Sequence, residues 1–471
     1  MADVIALSGI ILALSGLIWL AYRGYSVIIL APIMAALAAS FSAAPLFATY
    51  TQVFMPSAGG FIVTYFPLFL LGAIFGRLMD ETGMARAIAD GIVRAMGTAR
   101  AIPAVVLACA LLTYGGVSLF VVVFAMYPIA AALFRAADIP KRLMPAAIAL
   151  GAFTFTMTAL PGTPAIQNAI PMPVFGTTPF AAPGLGILAA AIMGFGGLAW
   201  LFLRERQLAH LGYGSSVEAD QTVTMMVDVD QAALTDTRHR SFFLACMPIV
   251  VVITLNYIFS VQILPQIDTG YLAQELYGQS TLDDVRGIWA IIAALIAGIT
   301  FLLIANIKTV EYPGQTVGKG AEASLLPIFN TASLVGFGAV VAALPAFALV
   351  QNAVESVGGG PVISLALSTS VLAGLTGSAS GGMSIALDAV GPTYLAQAAA
   401  LGISPELLHR VTTIATGGLD ALPHNGAVVT LLSICGLSHR ESYGDIFVVA
   451  VLIPIIALIA VLALGLTFGS F

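Results

Sequence analysis

Thr156-Met-Thr-Ala-Leu-Pro-Gly-Thr-Pro-Ala-Ile-Gln-Asn168 lies in the middle of an apolar stretch over 143–170. A stretch of that length suffices to cross a bilayer, which takes about 20 apolar residues. It cannot cross as one helix. Proline lacks the N–H that an inner turn needs, and its ring clashes with the carbonyl four residues back. Glycine weakens a helix further. Pro161, Gly162 and Pro164 together therefore predict a helix broken inside the membrane. Thr156, Thr158, Thr163, Gln167 and Asn168 surround the freed amides and carbonyls. Lipid offers those groups no hydrogen bond, so non-helical backbone at that depth must lie against protein or a water-filled cavity.

The rest of the chain agrees that the solvent is lipid. Of 471 residues, 59% are hydrophobic and 8% charged, with a mean hydropathy of +1.02. Soluble domains carry roughly 25% charged residues. The net charge of -6 is spread over loops, and no basic tract points to nucleic acid. Cys109, Cys246 and Cys435 lie in apolar stretches with no ligand spacing, which excludes a disulfide framework and a zinc site. No catalytic dyad or nucleophile elbow marks an enzyme, and no motif calls for a cofactor or metal. Residues 314–319 superficially resemble a phosphate loop, but the spacing is one short and no strand precedes them. The apolar run 4–22 reads as an uncleaved first span, because no cationic region precedes it. Further spans read at 25–44, 61–79, 184–203, 242–260, 287–305, 325–345 and 443–468.

Three other regions depart from simple spans. Charges at helical spacing over 80–97 predict an amphipathic helix on the membrane surface. The apolar excursion 101–134 is interrupted by Tyr114-Gly-Gly-Val-Ser118 and has positive charge at both ends. Both ends therefore belong on the cytoplasmic side, which makes the excursion a re-entrant hairpin. The pattern then recurs. A surface stretch at 347–357 leads to a hairpin over 361–390 with the tip Thr376-Gly-Ser-Ala-Ser-Gly-Gly382. A helix over 407–432 follows, broken at Leu422-Pro-His-Asn-Gly426. Each half has seven elements and, hairpins not counted, an odd number of crossings, which inverts the second half. The expected architecture is an all-α polytopic inner-membrane protein of two inverted repeats, 1–203 and 242–471, joined by a polar cytoplasmic linker over 204–241. Interrupted segments at matching places in two halves point to a binding site at the membrane midplane.

Helix ends made by breaks expose N–H groups and a positive dipole end, so they hold an anion without a buried Lys or Arg. The expected substrate site comprises Thr113, Gly115, Gly116 and Ser118 at the first hairpin tip and Thr163 and Asn168 at the first break. It is completed by Thr376, Gly377, Ser378 and Ser380 at the second tip and by His424 and Asn425 at the second break. A single hydroxyl in a spanning helix often serves helix packing instead; clustering at four interruptions favours binding. Ionisable residues at membrane depth are costly and functional by default. Asp388, Asp420 and His424 are therefore candidates for proton coupling, with a structural hydrogen bond as the other role open to Asp420 and His424. Sodium coupling is the alternative, since unwound carbonyls with Asn and Thr also suit that ion. A channel would need a continuous polar stripe, whereas the polar residues concentrate at the breaks.

The stretch Leu70-Leu-Gly-Ala-Ile-Phe-Gly-Arg-Leu-Met-Asp-Glu-Thr-Gly83, the first break, the tip Thr376-Gly-Ser-Ala-Ser380 and the pair His424-Asn425 resemble the gluconate:proton symporter (gluconate permease) family of the ion transporter superfamily. That resemblance implies a homodimeric elevator-type transporter, with hairpins and broken helices moving against a scaffold. It also implies symport of a small organic carboxylate (a sugar acid, hydroxy acid or short-chain monocarboxylate) with a proton. Pro161-Gly-Thr-Pro164 departs from the family in carrying no histidine.

Overall fold

A computed structural model describes every residue except Met1, Gly24, 215–240, Lys308, Thr309, Glu311, 350–357 and His424. The described residues form helices joined by turns and loops, with no strand. Six of the helices are long and apolar enough to cross a membrane, and a seventh span is counted if one sharply bent pair is taken together. The protein is a multi-pass membrane protein.

The first half opens with α1 (Ala2–Tyr22) and α2 (Val27–Phe41), which pack on each other. At 15 residues, α2 is shorter than the expected span 25–44. The chain turns at Ser42 and at Ala43, which has a positive φ of 53°, and Pro45 begins the next helix. That next helix enters through a π-helical turn, Tyr50–Phe54, and continues as α3 (Met55–Glu81). An Arg77–Glu81 ion pair at 3.3 Å spans the last turn of α3. The surface helix therefore starts at Met84 rather than 80, as α4 (Met84–Met96) between Gly83 and Gly97, both at positive φ. The chain then bends by 106°. The first hairpin follows as α5 (Ala101–Tyr114) and α6 (Leu119–Ala136), which pack together below a tip where Gly116 has φ 92°.

The broken helix starts as the fully buried α7 (Met144–Ala152). It dissolves earlier and further than the sequence predicts. Thr154 Oγ1 donates to Leu150 O (2.6 Å) and Thr156 Oγ1 to Gly151 O (2.9 Å). Such back-bonding competes with the helical ladder, and only short turns remain up to Phe175. The half closes with α8 (Pro183–Leu208), so helix continues beyond 203 into the expected linker. There Arg204 Nε lies 2.8 Å from Asp445 Oδ1, to which Trp200 Nε1 also donates (3.2 Å). That buried carboxylate ties α8 to the last span. Residues 215–240 of the linker lie outside the described residues.

The second half has α9 (Phe242–Tyr257), α10 (Leu282–Ala305) and the 31-residue α11 (Pro313–Ala343). Residues 314–319 form an ordinary turn of α11. Most of the expected surface stretch 347–357 lies outside the described residues. The second hairpin is α12 (Gly360–Thr376) and α13 (Ala379–Ala400). Its second arm runs ten residues beyond the expected 390, because the helix continues through Gly391-Pro392 and ends only at the turn at 401–402. The second broken helix is α14 (Pro405–Leu419) and α15 (Gly426–Cys435), and α16 (Ile453–Phe468) completes the last span.

The most extensive helix pairing joins α3 to α11, and it depends on missing side chains. A Cβ on Gly320 would sit 2.8 Å from Ile74 Cα, and one on Gly336 would sit 2.9 Å from Phe54 O. Small residues let backbones approach in this way in membranes, where no hydrophobic drive brings helices together. The neighbouring Gly318 has open space at its Cβ position. Gly320→Ala is expected to destabilise the protein by about 1–3 kcal/mol. Gly318→Ala is expected to be neutral, or stabilising by up to about 1 kcal/mol. Thermal melting of both variants in detergent checks the contrast.

Candidate functional site: a cavity at two hairpin tips and two helix breaks

Both hairpin tips and both breaks open onto one cavity of about 760 Å³. Thr113, Gly116 and Ser118 line it from the first tip, and Thr376, Gly377, Ser378 and Ser380 from the second. The first break contributes 164–167 and the second Asp420, Ala421 and 425–427. Its other wall is α3 at Leu68, Phe69 and Gly72, with Asn330 and Thr331 of α11. No Lys or Arg lines it among the described residues.

From the tips and the second break three helices begin at this cavity, α6 after Ser118, α13 after Ser378 and α15 after Asn425, and α2 begins on its wall after Ser26. Their first N–H groups have no helical partner. Asn425 handles this for α15, where Oδ1 accepts from the amides of Ala427 (2.6 Å) and Val428 (3.0 Å). Its Nδ2 donates to Gly377 O (2.9 Å) and Asp420 O (2.8 Å). One side chain thus caps a helix, closes the break and fastens the second tip to it. Ser378 Oγ accepts from Gly381 N (3.1 Å), and Ser380 Oγ lies 3.4 Å from Thr331 Oγ1 of α11. Gly382 is needed because a Cβ there would lie 2.3 Å from Ala373 Cα in the facing arm. The first turn of α6 has no side-chain cap.

The first break is organised from behind. Arg410 of α14 is fully buried, and its partners are neutral oxygens. Nε and Nη2 donate to Ala181 O (3.0 and 2.7 Å), Nη2 also to Pro179 O (3.4 Å), and Nη1 to Asn168 Oδ1 (3.3 Å). Asn168 Nδ2 in turn donates to Thr163 O (3.1 Å) and Pro179 O (2.9 Å). His409, equally buried, lies 3.2 Å from Asn168 Oδ1 and 2.6 Å from Thr177 Oγ1. Tyr114 Oη donates to Pro161 O (2.7 Å) from the first tip, and Asn256 Nδ2 of α9 to Gly162 O (3.1 Å). The unwound segment is therefore held in shape by its own Asn168 and by side chains from three other elements, α14, the first tip and α9.

Three buried polar atoms of lining residues have no partner: Thr113 Oγ1, Gln167 Oε1 and Asp420 Oδ1. Buried polar groups are nearly always paired, so these three atoms are open to whatever occupies the cavity.

The structure sorts the expected site residues. Thr113, Gly116, Ser118, Thr376, Gly377, Ser378, Ser380, Asn425 and Asp420 share the cavity. Gly115 does not line it; a Cβ there would lie 2.5 Å from Ile249 Cγ1 of α9. Thr163 and Asn168 are fully buried supports of the first break. Asp388 lies in a separate cavity of about 640 Å³. His424 is outside the described residues. Gln167 lines the cavity and was not among the expected binding residues. His409 and Arg410 were missed altogether, although a cation inside a spanning segment is itself a signal. No group of three His, Cys, Asp or Glu side chains suited to a metal occurs among the described residues.

The chain is 42% identical over 461 residues to the uncharacterized transporter YxjC of Bacillus subtilis (strain 168), covering 97% of this chain and 98% of YxjC. No protein-family model matches it. Its fold is similar to the Alcanivorax borkumensis YdaH transporter, whose crystal structure has an unusual topology, with a TM-score of 0.52, 16% identity and 88% of each chain covered. It is also similar to Neisseria gonorrhoeae MtrF, which illuminates a class of antimetabolite efflux pumps, with a TM-score of 0.55, 14% identity, and 90% of this chain and 84% of MtrF covered. At those identities the two structures speak for the fold alone. YxjC and YdaH bear the name of transporters, and these three names do not include a gluconate permease. The chain belongs to the same transporter family as YxjC.

Proposed function

We propose that this protein is a secondary active transporter of the inner membrane that carries a small organic carboxylate together with a proton. The observation that carries this reading is Arg410, a guanidinium sealed behind the first break whose hydrogen bonds all go to neutral oxygens. The carboxylate of Glu406, one turn earlier on α14, acts on it but is itself exposed. The buried charge is therefore only partly balanced, which is expensive, and its field reaches the adjacent cavity through a medium of low dielectric. Three helix starts add their positive ends to the same space. An anion in the cavity would complete the balance of charge, and Thr113 Oγ1, still without a partner, can donate to a carboxylate oxygen. In this reading Asp420 and His424 carry the proton. The two halves are inverted repeats, and the hairpins with the broken helices travel past α3 and α11 in an elevator-type, homodimeric assembly.

Sodium coupling is a second reading, favoured by a specific observation. Gln167 Oε1 and Asp420 Oδ1 are both unpartnered acceptors on the cavity wall, and oxygen acceptors suit a small cation as well as a proton.

A thermal-shift screen of the purified protein against sugar acids, hydroxy acids and short-chain monocarboxylates tests the substrate class. A true ligand at 100 times its Kd stabilises by about 2.7 kcal/mol. If no anion stabilises the protein, the carboxylate reading fails. The stabilising compound is then followed in proteoliposomes. Uptake is expected to respond to an inward proton gradient in sodium-free buffer; uptake that requires sodium and ignores the proton gradient favours the second reading. Reversing the gradient shows whether the physiological direction is import or, as in MtrF's class, export. His424→Ala is expected to abolish proton-driven uptake with expression intact, and normal uptake in that variant removes His424 from coupling. Arg410→Met is expected to weaken binding of the same carboxylate about tenfold, or ~1.4 kcal/mol. Arg410→Lys, which keeps the charge, is expected to lose less, and equal affinity in all three proteins removes the buried cation from recognition.

A further inference from the structure

The same four elements run past both cavities. On α3 the main cavity takes residues from Leu68 to Ala73 and the second from Ser57 to Tyr65. On α11 the main cavity ends at Leu334 and the second begins at Val335. The first break contributes 164–167 to one and Ile170, Pro173 and Val174 to the other. On α13 the division falls between Ser380 and Ser384. The two cavities are thus stacked along one path, with a wall between them. Tyr65 Oη donates to Ile170 O across that wall (3.0 Å), linking α3 to the first break.

Charge orients the stack. The main cavity lies toward the end of α3 that carries Arg77 and toward the start of α11 that carries Lys319. Basic residues mark the cytoplasmic side, so the second cavity occupies the outward half. Like the first, it pairs one carboxylate with hydroxyls, but no hairpin tip opens onto it. Asp388 lines it with the hydroxyls of Ser57, Thr64, Tyr65 and Ser384, and no basic side chain is present among the lining residues. Tyr65 is the other titratable group facing it; the first break and α11 contribute none. Ser384 Oγ is buried, with Ser384 4% exposed, and has no partner. Ser380, Ser384 and Asp388 follow one another at four-residue spacing, so they lie along one face of α13. That polar stripe leads from the substrate cavity through the wall to the outer one.

We propose that Asp388 and Ser384 form a monovalent-cation site in the outward cavity, the station at which the coupling cation is taken up before it reaches the substrate cavity along α13. The proposal rests on the transport reading for its purpose, and its test needs no substrate. The purified full-length protein is treated with dicyclohexylcarbodiimide, which modifies protonated carboxyls in apolar surroundings, and labelling at Asp388 and Asp420 is read separately by peptide mass spectrometry. Labelling at Asp388 that rises as pH falls and ignores sodium identifies a proton site. Labelling that sodium suppresses and choline does not identifies a sodium site, and Ser384→Ala is then expected to raise the sodium concentration needed for protection. Asp388→Glu keeps the carboxylate and is expected to retain the response if the protein folds. An Asp388 that resists labelling at every pH, or labels without regard to pH or sodium, overturns the proposal. A carboxylate screen that fails while Asp388 responds removes the substrate assignment and leaves the cation site standing.

Discussion

Each peptide group that leaves a helix inside a membrane must find a partner in the protein or in enclosed water, since lipid supplies none and an orphan costs several kcal/mol. Two asparagines sit at the centre of that pairing here. Asn425 joins four backbone groups across the second break and the second tip. Asn168 joins two carbonyls of the first break region to Arg410 and His409. Neither asparagine is free to reach far into the cavity. They keep the breaks open in a fixed shape, and the atoms left over on the cavity wall are the ones available to a solute.

The two breaks are braced to different degrees. The second is closed in part by its own residues within 420–428, with His439 and Tyr443 from the start of the last span reaching Pro423 O (2.9 Å) and Ala421 O (3.2 Å). The first is held from a distance, by α14, α9 and the first hairpin. Arg410 is central to this second arrangement. Burying a guanidinium requires that its donors be satisfied, and the carbonyls of Pro179 and Ala181 do so without cancelling its charge. The positive field is therefore available to the cavity while the group itself stays out of reach. An elevator movement of the hairpins and breaks would carry such a charge with the substrate.

The membrane class, the glycine turns at 115–116 and 377, and the presence of an interruption at Pro161–Pro164 and at Pro423 are legible in the sequence because each rests on a local rule, whereas the extent of the first interruption is not. Pro161, Gly162 and Pro164 break a helix wherever it lies, and Gly-rich tips need no tertiary information. The shared cavity of Ser118, Ser378 and Asn425 followed from their placement at interruptions. What stayed hidden depends on distant partners. Asn168 has the composition of a ligand and the surroundings of a brace, which only Arg410, 242 positions away, reveals. Gly115 has the look of a binding glycine, yet it makes room for Ile249. Asp388 lies on the predicted hairpin but on the far side of a wall that periodicity does not show. The short α2 and the long α13 differ from expectation because helix length is set by a turn at Ala43 in one case and the absence of a turn in the other.

The central claim is that the backbone leaves helical form at membrane depth in order to line a hydrated recess for a solute. Hydrogen–deuterium exchange in lipid nanodiscs reads this directly. The account predicts measurable exchange at 114–118, 159–168, 376–381 and 419–427, slowed by a bound carboxylate, while α3 and α11 stay protected. Complete protection of those four segments at the level of the spanning helices, with no response to any carboxylate, would contradict it.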